Sequence, residues 1–456
     1  MNMSQNTENT VPEKKGFWNF IDNVKGDKVV WIIVLLLIMI SALAIFSSTS
    51  ALTGESRNRV DLLKNHSIFI AIGLGIIWLL NKLKGVRLFK CVSQCGFIAS
   101  LVMLLMLVFD IDLGFIKAAT FNKATRSLEF FGFQIHVLEF VKVAMVMYLA
   151  WALDAYWTDH EQMKKGQKTT TLKWANRLAA KSEKLAFLKE SIWKRIIYLY
   201  APVCLTTILC MKGSNSSMLF IGAMSMVILW IGRMRKRELL LIVALGIAGI
   251  FCIIGINHIS GDRIFSGMRL GTLKARILDK KTIYDLVEIE KNPALGKYSD
   301  EWFDVRNDIR QPYTALLAVR QGKLVGKGSG NSTQKYIVTH IYSDYVFSLI
   351  VEEYGLLGGV FIMFLYLSLL ARGATIARNC ANPFAKYAVG GLSLLITAQA
   401  MMHIMVNLDV GFRTGQTLPL ISDGRFAFIM FCIAFGIILS ISKSAVKEVQ
   451  STEEQN

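Results

Sequence analysis

Apolar residues along this chain come in blocks, and the blocks have the length of membrane crossings. A hydrocarbon core about 30 Å thick takes about 20 predominantly apolar residues per helix. Ten such blocks are read, at roughly 29–50, 67–81, 88–109, 133–154, 196–212, 216–232, 239–257, 345–371, 386–407 and 426–442. The second, fifth and sixth are short, and a Gly/Ser/Asn turn signal at 212–216 splits the fifth from the sixth. The pattern predicts an all-α integral membrane protein of about ten transmembrane helices. A tail at 1–28 precedes helices one to seven over 29–257. A large loop at 258–342 precedes helices eight to ten over 343–442, and a tail at 443–456 follows.

Charge placement gives the orientation. Lys82, Lys84, Arg87 and Lys90 fall on one side, as do a dense basic set over 164–195, then Arg233, Arg235, Lys236 and Arg237, then Arg372, Arg378 and Lys386. The short loop at 212–216 on the other side holds one lysine. By the positive-inside rule both termini are expected in the cytoplasm and the 258–342 loop outside. Phe17, Trp18, Phe20, Ile21 and Val24 form an apolar face in the first tail. Trp174, Leu178, Leu185, Leu188, Ile192 and Trp193 are interleaved with Lys and Arg in the 155–195 loop. Both stretches suit interfacial helices on an anionic leaflet. The first 28 residues contain no apolar h-region, so no cleavable signal peptide is expected.

Composition agrees. Of 456 residues, 53% are hydrophobic and 18% charged, against an apolar share of roughly 45–50% in soluble domains. In a soluble protein the net charge of +18 would suggest nucleic acid. Here the basic residues flank apolar blocks, which points to topology and membrane lipid and to no nucleic acid. The seven cysteines lie in or beside apolar blocks and none falls in 258–342, so a disulfide-stapled outer domain is not expected.

Chemistry concentrates in residues 339–359, THIYSDYVFSLIVEEYGLLGG. Asp344 opens the eighth block. It can serve as a helix N-cap, although Ser343 alone would suffice. His340 lies four residues earlier, after a Gly-rich basic stretch, 318–335, that carries Lys323, Lys327 and Lys335. Such a stretch offers backbone N–H groups and ammonium charges to an anion such as phosphate. It fits no Walker pattern, because Asn331 follows Gly330. Glu352 and Glu353 fall about two turns into the block, where a charge costs about 2.5 kcal/mol or more. They are expected to face the protein interior or a wet cavity, paired with Lys or Arg or used in chemistry. Glu139 and Lys142, at i,i+3 in the fourth block, suit a pair. His136 and His403 read as intramembrane, packed and hydrogen-bonded.

These segments resemble the SEDS family, the FtsW and RodA peptidoglycan glycosyltransferases. SDYVFSLIVEEYGLLGG is similar to the family's "tDFIFa…eE.G..G". QGKLVGKGSGNSTQK (321–335) resembles "GG..G.G.G.S.qK", TGQTLPLIS (414–422) resembles "tG..LPfiS", EFVK (139–142) resembles "E..K", and AIFSSTSAL (44–52) is similar to the end of the first span. The resemblance leans toward FtsW over RodA and covers nearly the whole chain.

It implies polymerisation of lipid II, an undecaprenyl-linked disaccharide-pentapeptide, into glycan strands on the outer face of the bacterial cytoplasmic membrane. An acceptor sugar hydroxyl attacks the donor's anomeric carbon, and undecaprenyl pyrophosphate leaves. Asp344 matches the family's catalytic aspartate and would be the general base. Lys335 matches the lysine before it and would face the pyrophosphate, with Lys323 and Lys327 as further candidates. Glu139 and Lys142 would line the cavity, Glu353 falls in the "eE.G" element, and Ser422 closes the LPLIS element. The resemblance also implies a class B penicillin-binding protein as partner, within divisome or elongasome membrane assemblies. A divalent cation, Mg or Mn, is used by some members, but no ligand cluster in this sequence requires one.

The sequence departs from the family in places. KGSNSSM (212–218) stands where "PDlGTa" is usual, and Asp423-Gly424-Arg425-Phe426 replaces a Tyr-Gly-Gly-Ser-like turn. A lipid II flippase or transporter, which also uses intramembrane acids, and an inactive scaffold recruiting a transpeptidase are the alternative readings.

Overall fold

The structure is a computed structural model. It describes residues 26–453 apart from 49–58, 84, 113–115, 122–123, 131, 168–170, 173–175, 177–186, 188–189, 260–280, 282, 293–298, 339–340 and 412. The 17–24 stretch, His340, Trp174, Leu178, Leu185 and Leu188 lie outside the described residues.

Twelve helices are followed here. They are α1 (Lys28–Ser48), α2 (Arg59–Lys82), α3 (Val86–Val108), α4 (Val137–Lys164), α5 (Ser191–Gly213), α6 (Asn215–Ile231), α7 (Lys236–Ile259), α8 (Ile283–Lys291), α9 (Asp300–Gly322), α10 (Val346–Asn379), α11 (Pro383–Asn407) and α12 (Arg425–Glu453). Each of the ten apolar blocks falls on one of them. Among the described residues seven helices are long and apolar enough to cross a membrane, and α6 is a shorter apolar helix. The core is formed where α10 packs on α11, α2 on α12, α3 and α11 on α4, and α9 on α10. Leu240, Leu241, Leu245 and Phe251 on α7 are exposed, as side chains facing lipid tails would be.

The fourth block begins later than expected. Residues Phe133–His136 are a strand, β3, in an antiparallel sheet of order β1-β2-β3 with β1 (Ile116–Phe121) and β2 (Ala124–Phe130). His136 pairs with Ser127 at the end of β3 and is exposed, so it is not the packed helical residue expected. The alternation in these short strands is too weak to stand out beside an apolar helix. The region before the eighth block carries two helices, α8 and α9, which pack together around Trp302, Val305, Ile309 and Leu286.

The 34-residue helix α10 is broken at Gly355, where φ is 72° and ψ −178°. A helix break leaves carbonyls above it and N–H groups below it without partners. In a membrane protein these must be satisfied from within. The segment after α9 does this. Lys327 N donates to Glu352 O (3.0 Å) and Gly328 N to Glu353 O (2.9 Å). Leu356 N donates to Lys323 O (2.9 Å) and Leu357 N to Leu324 O (3.2 Å). Residues 356–379 alone rise about 36 Å at 1.5 Å per residue, enough to cross a bilayer core. Glu352 and Glu353 lie immediately before the break, within the apolar helix as expected.

Candidate active site

Asp344 lies directly before α10, and its backbone is fixed from two sides. Asn407, the last residue of α11, donates from Nδ2 to Asp344 O (3.2 Å). Its Oδ1 accepts from Ser348 N (3.0 Å) and Ser348 Oγ (2.8 Å). Ser422 Oγ donates to Ser343 O (2.8 Å) and accepts from Leu418 N (2.8 Å), and Asp423 N donates to Tyr342 O (3.0 Å). Tyr345 takes the N-cap position, without a side-chain capping bond.

The Asp344 side chain is half-buried. Its Oδ1 accepts from Ser343 Oγ (3.0 Å), and its two carboxylate oxygens lie 3.8 and 3.9 Å from where a Cβ on Gly415 would stand. The 414–422 segment thus reaches Asp344 at Gly415, and Ser422 holds the carbonyl of the preceding Ser343. Arg413, next to this segment, lies 3.5 Å from Asp409 Oδ1 and donates from NH2 to Lys281 O (2.9 Å). Lys281 hydrogen-bonds Asp308 (2.9 Å), which raises its ammonium above the ordinary lysine value.

A second cluster surrounds Lys142, which is buried. Its Nζ donates to Glu139 Oε1 (2.7 Å), Gln399 Oε1 (2.8 Å) and Gln416 Oε1 (2.7 Å), using all three donors of an ammonium group. Glu139 and Lys142 do pair, across the first two turns of α4. His403 is buried, with Nδ1 2.7 Å from Gln416 O.

The third cluster is the docked segment at the α10 break. Glu352 is fully buried and accepts from Lys327 Nζ (2.6 Å), Thr333 N (3.0 Å), Thr333 Oγ1 (3.0 Å) and Ser332 Oγ. Glu353 accepts from Ser47 Oγ and lies 4.0 Å from Lys335 Nζ. Lys335 is buried and donates to Gly330 O (2.7 Å). Lys335, Lys327 and Glu353 are therefore brought together, but not around Asp344. Asp344 and Glu353 are nine positions apart in the chain, with seven residues of α10 between them, about 10 Å of helical rise. Lys323 is exposed, at a positive φ of 48°. Two of the three lysines expected to face an anion, Lys327 and Lys335, are ion-paired to the two glutamates, because buried carboxylates need partners.

Glu352→Ala is expected to lower stability by about 2–3 kcal/mol, since it leaves the Thr333 N–H unmatched and removes the counter-charge of Lys327, which keeps only Gln321 Oε1 and Thr333 Oγ1. A lower melting temperature with faster tryptic cleavage after Lys327 and Lys335 would show it. Wild-type values of both would mean that the carboxylate does not hold the segment.

Among the described residues no three His, Cys, Asp or Glu side chains converge on a metal site.

Gln399, Gln416, Asn407 and Ser217 escaped the sequence reading. A signal was present: Gln399, His403 and Asn407 recur at i, i+4 and i+8 of an apolar helix, which puts one polar stripe along α11. No comparable pattern marks Gln416 or Ser217.

Fold and site define a multi-pass helical membrane protein with a half-buried carboxylate at the head of a broken helix. The chain belongs to the FtsW/RodA/SpoVE family of cell cycle proteins, whose profile matches residues 27–447. A probable peptidoglycan glycosyltransferase FtsW of Hahella chejuensis is 37% identical over 164 residues, 35% of this chain and 41% of that protein. The FtsW of Geobacter metallireducens, named likewise, is 25% identical over 75% of this chain and 74% of that protein. That of Coxiella burnetii is 23% identical over 83% and 85%. The chain thus spans less than half the length of the Hahella relative and about three quarters of the Geobacter one.

Among solved structures, a chain of a peptidoglycan synthase complex that coordinates polymerization and crosslinking aligns with a TM-score of 0.58 at 18% identity, over 91% of this chain and 97% of that one. Rod shape determining protein RodA of Thermus thermophilus aligns with a TM-score of 0.51 at 18% identity, over 92% and 98%. At these identities the likeness establishes the fold.

Proposed function

We propose that this protein is an FtsW-like peptidoglycan glycosyltransferase that polymerises lipid II on the outer face of a bacterial cytoplasmic membrane. The observation that carries the reading is the half-buried Asp344 carboxylate, set against the Gly415 turn at the head of α10. The relatives named probable peptidoglycan glycosyltransferase support the reaction class. Asp344 takes the proton of the acceptor hydroxyl as that oxygen bonds to the donor's anomeric carbon. The bond from that carbon to the diphosphate breaks, and the lipid diphosphate leaves with the electron pair. Developing negative charge needs positive charge nearby. Arg413, two residues before Gly415, is the cation proposed to supply it, and it would have to do so while also lying 3.5 Å from Asp409 Oδ1. Lys327 and Lys335 contribute by holding the docked segment, since each is matched to a glutamate. A single-span class B penicillin-binding protein is the proposed partner, crosslinking the strands as they form.

The test is glycan formation from lipid II by the purified protein in liposomes. Polymer formed by the wild type supports the reading. Lipid II crossing the bilayer without polymer would make the protein a flippase. Neither activity, with transpeptidase binding retained, would make it a scaffold.

A further inference from the structure

Residues 413–424 run without helix or strand between α11 and α12, and they carry the Gly415 turn that meets Asp344. Irregular backbone inside a helical membrane protein is fixed by side chains from its surroundings. Here Gln399 Nε2 donates to Thr417 O (3.0 Å), Tyr366 OH to Pro419 O (2.5 Å), and His403 Nδ1 meets Gln416 O (2.7 Å). Gln416 reaches outward in turn. Its Oε1 accepts from Lys142 Nζ on α4 (2.7 Å), and its Nε2 donates to Ser217 Oγ on α6 (3.0 Å). The side chain is buried, and both its polar atoms are used.

We propose that Gln416 is a positioning residue for Asp344. Its bridge to Lys142 and Ser217 holds the adjacent Gly415 turn against the carboxylate and so sets where the acceptor hydroxyl can stand. The proposal rests on the reading of Asp344 as general base. The Lys142 ammonium, held by Glu139 and Gln399 as well, anchors the bridge without touching the reacting atoms. Without Gln416, one of its donors is left unmatched in a buried site, and the turn loses its tie to two helices. A displacement of about 1 Å near a reacting group can cost as much as 10²-fold in rate.

The experiment measures lipid II polymerisation by the full chain in liposomes at several lipid II concentrations. Gln416→Met keeps the shape and removes both bonds. It is expected to lower kcat roughly 10- to 100-fold with KM changed by no more than about threefold, because the loss falls on the transition state. Gln416→Glu keeps the acceptor for Lys142 and recovers most of the rate. In an Asp344→Asn background, Gln416→Met adds no further loss, since there is no base left to position. Wild-type kcat for Gln416→Met, or equal losses in both backgrounds, overturns the proposal. Wild-type polymerisation by Asp344→Asn instead overturns the general-base reading, and the two failures are thereby distinguished. Should Gln416→Met not fold, Ser217→Ala removes only the Nε2 acceptor and is expected to lower kcat about threefold; an unchanged kcat there overturns the proposal equally.

Discussion

Asp344→Asn is expected to lower the rate of glycan formation about 10²–10⁴-fold, the usual contribution of a positioned general base. The substitution is nearly isosteric, and the backbone carbonyl that Asn407 holds is untouched. The half-buried side chain gives up a negative charge, while Ser343 Oγ can still donate to the remaining carbonyl oxygen. Melting temperature should therefore change little while turnover collapses. The measurement is initial polymerisation rate alongside thermal stability of the same preparation. A variant that polymerises lipid II at the wild-type rate would leave the mechanism without its proton acceptor. One that loses activity only because it unfolds would reduce Asp344 to a structural role.

Gly355→Ala is expected to be the most damaging single-methyl change, at about 3–5 kcal/mol of stability. Two costs act together. The conformation at φ 72°, ψ −178° is essentially restricted to glycine and is strained by about 1–3 kcal/mol for other residues. A Cβ there would also stand 2.2 Å from Leu324 O, a backbone atom that accepts from Leu357 N. Moving it would disturb the bonds that close the break in α10. Gly249→Ala, where nothing lies within 4 Å of the added methyl, is the matched control. It should be neutral or stabilising by up to about 1 kcal/mol, as for Gly→Ala in a helix. Equal melting temperatures for the two variants would mean that the break is not held as described.

Both predictions bear on how the site is assembled. Asp344 is placed by the ends of α11 and the 413–424 segment, whereas Glu352 and Glu353 hold the segment after α9 in the break of the same helix. Gly326 answers Gly355 from the docked side, since a Cβ there would lie 2.2 Å from Glu353 O. Two glycines thus allow two backbones to approach closely enough to exchange hydrogen bonds. The Gly-rich stretch resembles an anion cradle in sequence. In the fold, Lys327 N and Gly328 N are engaged by helix carbonyls, and Thr333 N by Glu352.

The sequence by itself determined the membrane-protein class, the helices on which the apolar blocks fall, and the Glu139–Lys142 pair, and it put Asp344 forward as the candidate base. These follow from local quantities: hydropathy over about 20 residues, i,i+3 spacing, and a carboxylate at the edge of an apolar run. Only the tertiary structure decided that Lys335 and Lys327 answer the two glutamates rather than Asp344, that α10 is broken, and that Gln416 ties α4 and α6 to the turn beside the aspartate. The residues of each contact are far apart in the chain: Lys142 and Gln416, Ser47 and Glu353, Leu324 and Leu357. A charge or an amide in an apolar stretch announces that it needs a partner, because burial without one is costly. Which partner it finds depends on the packing of helices that no local pattern encodes.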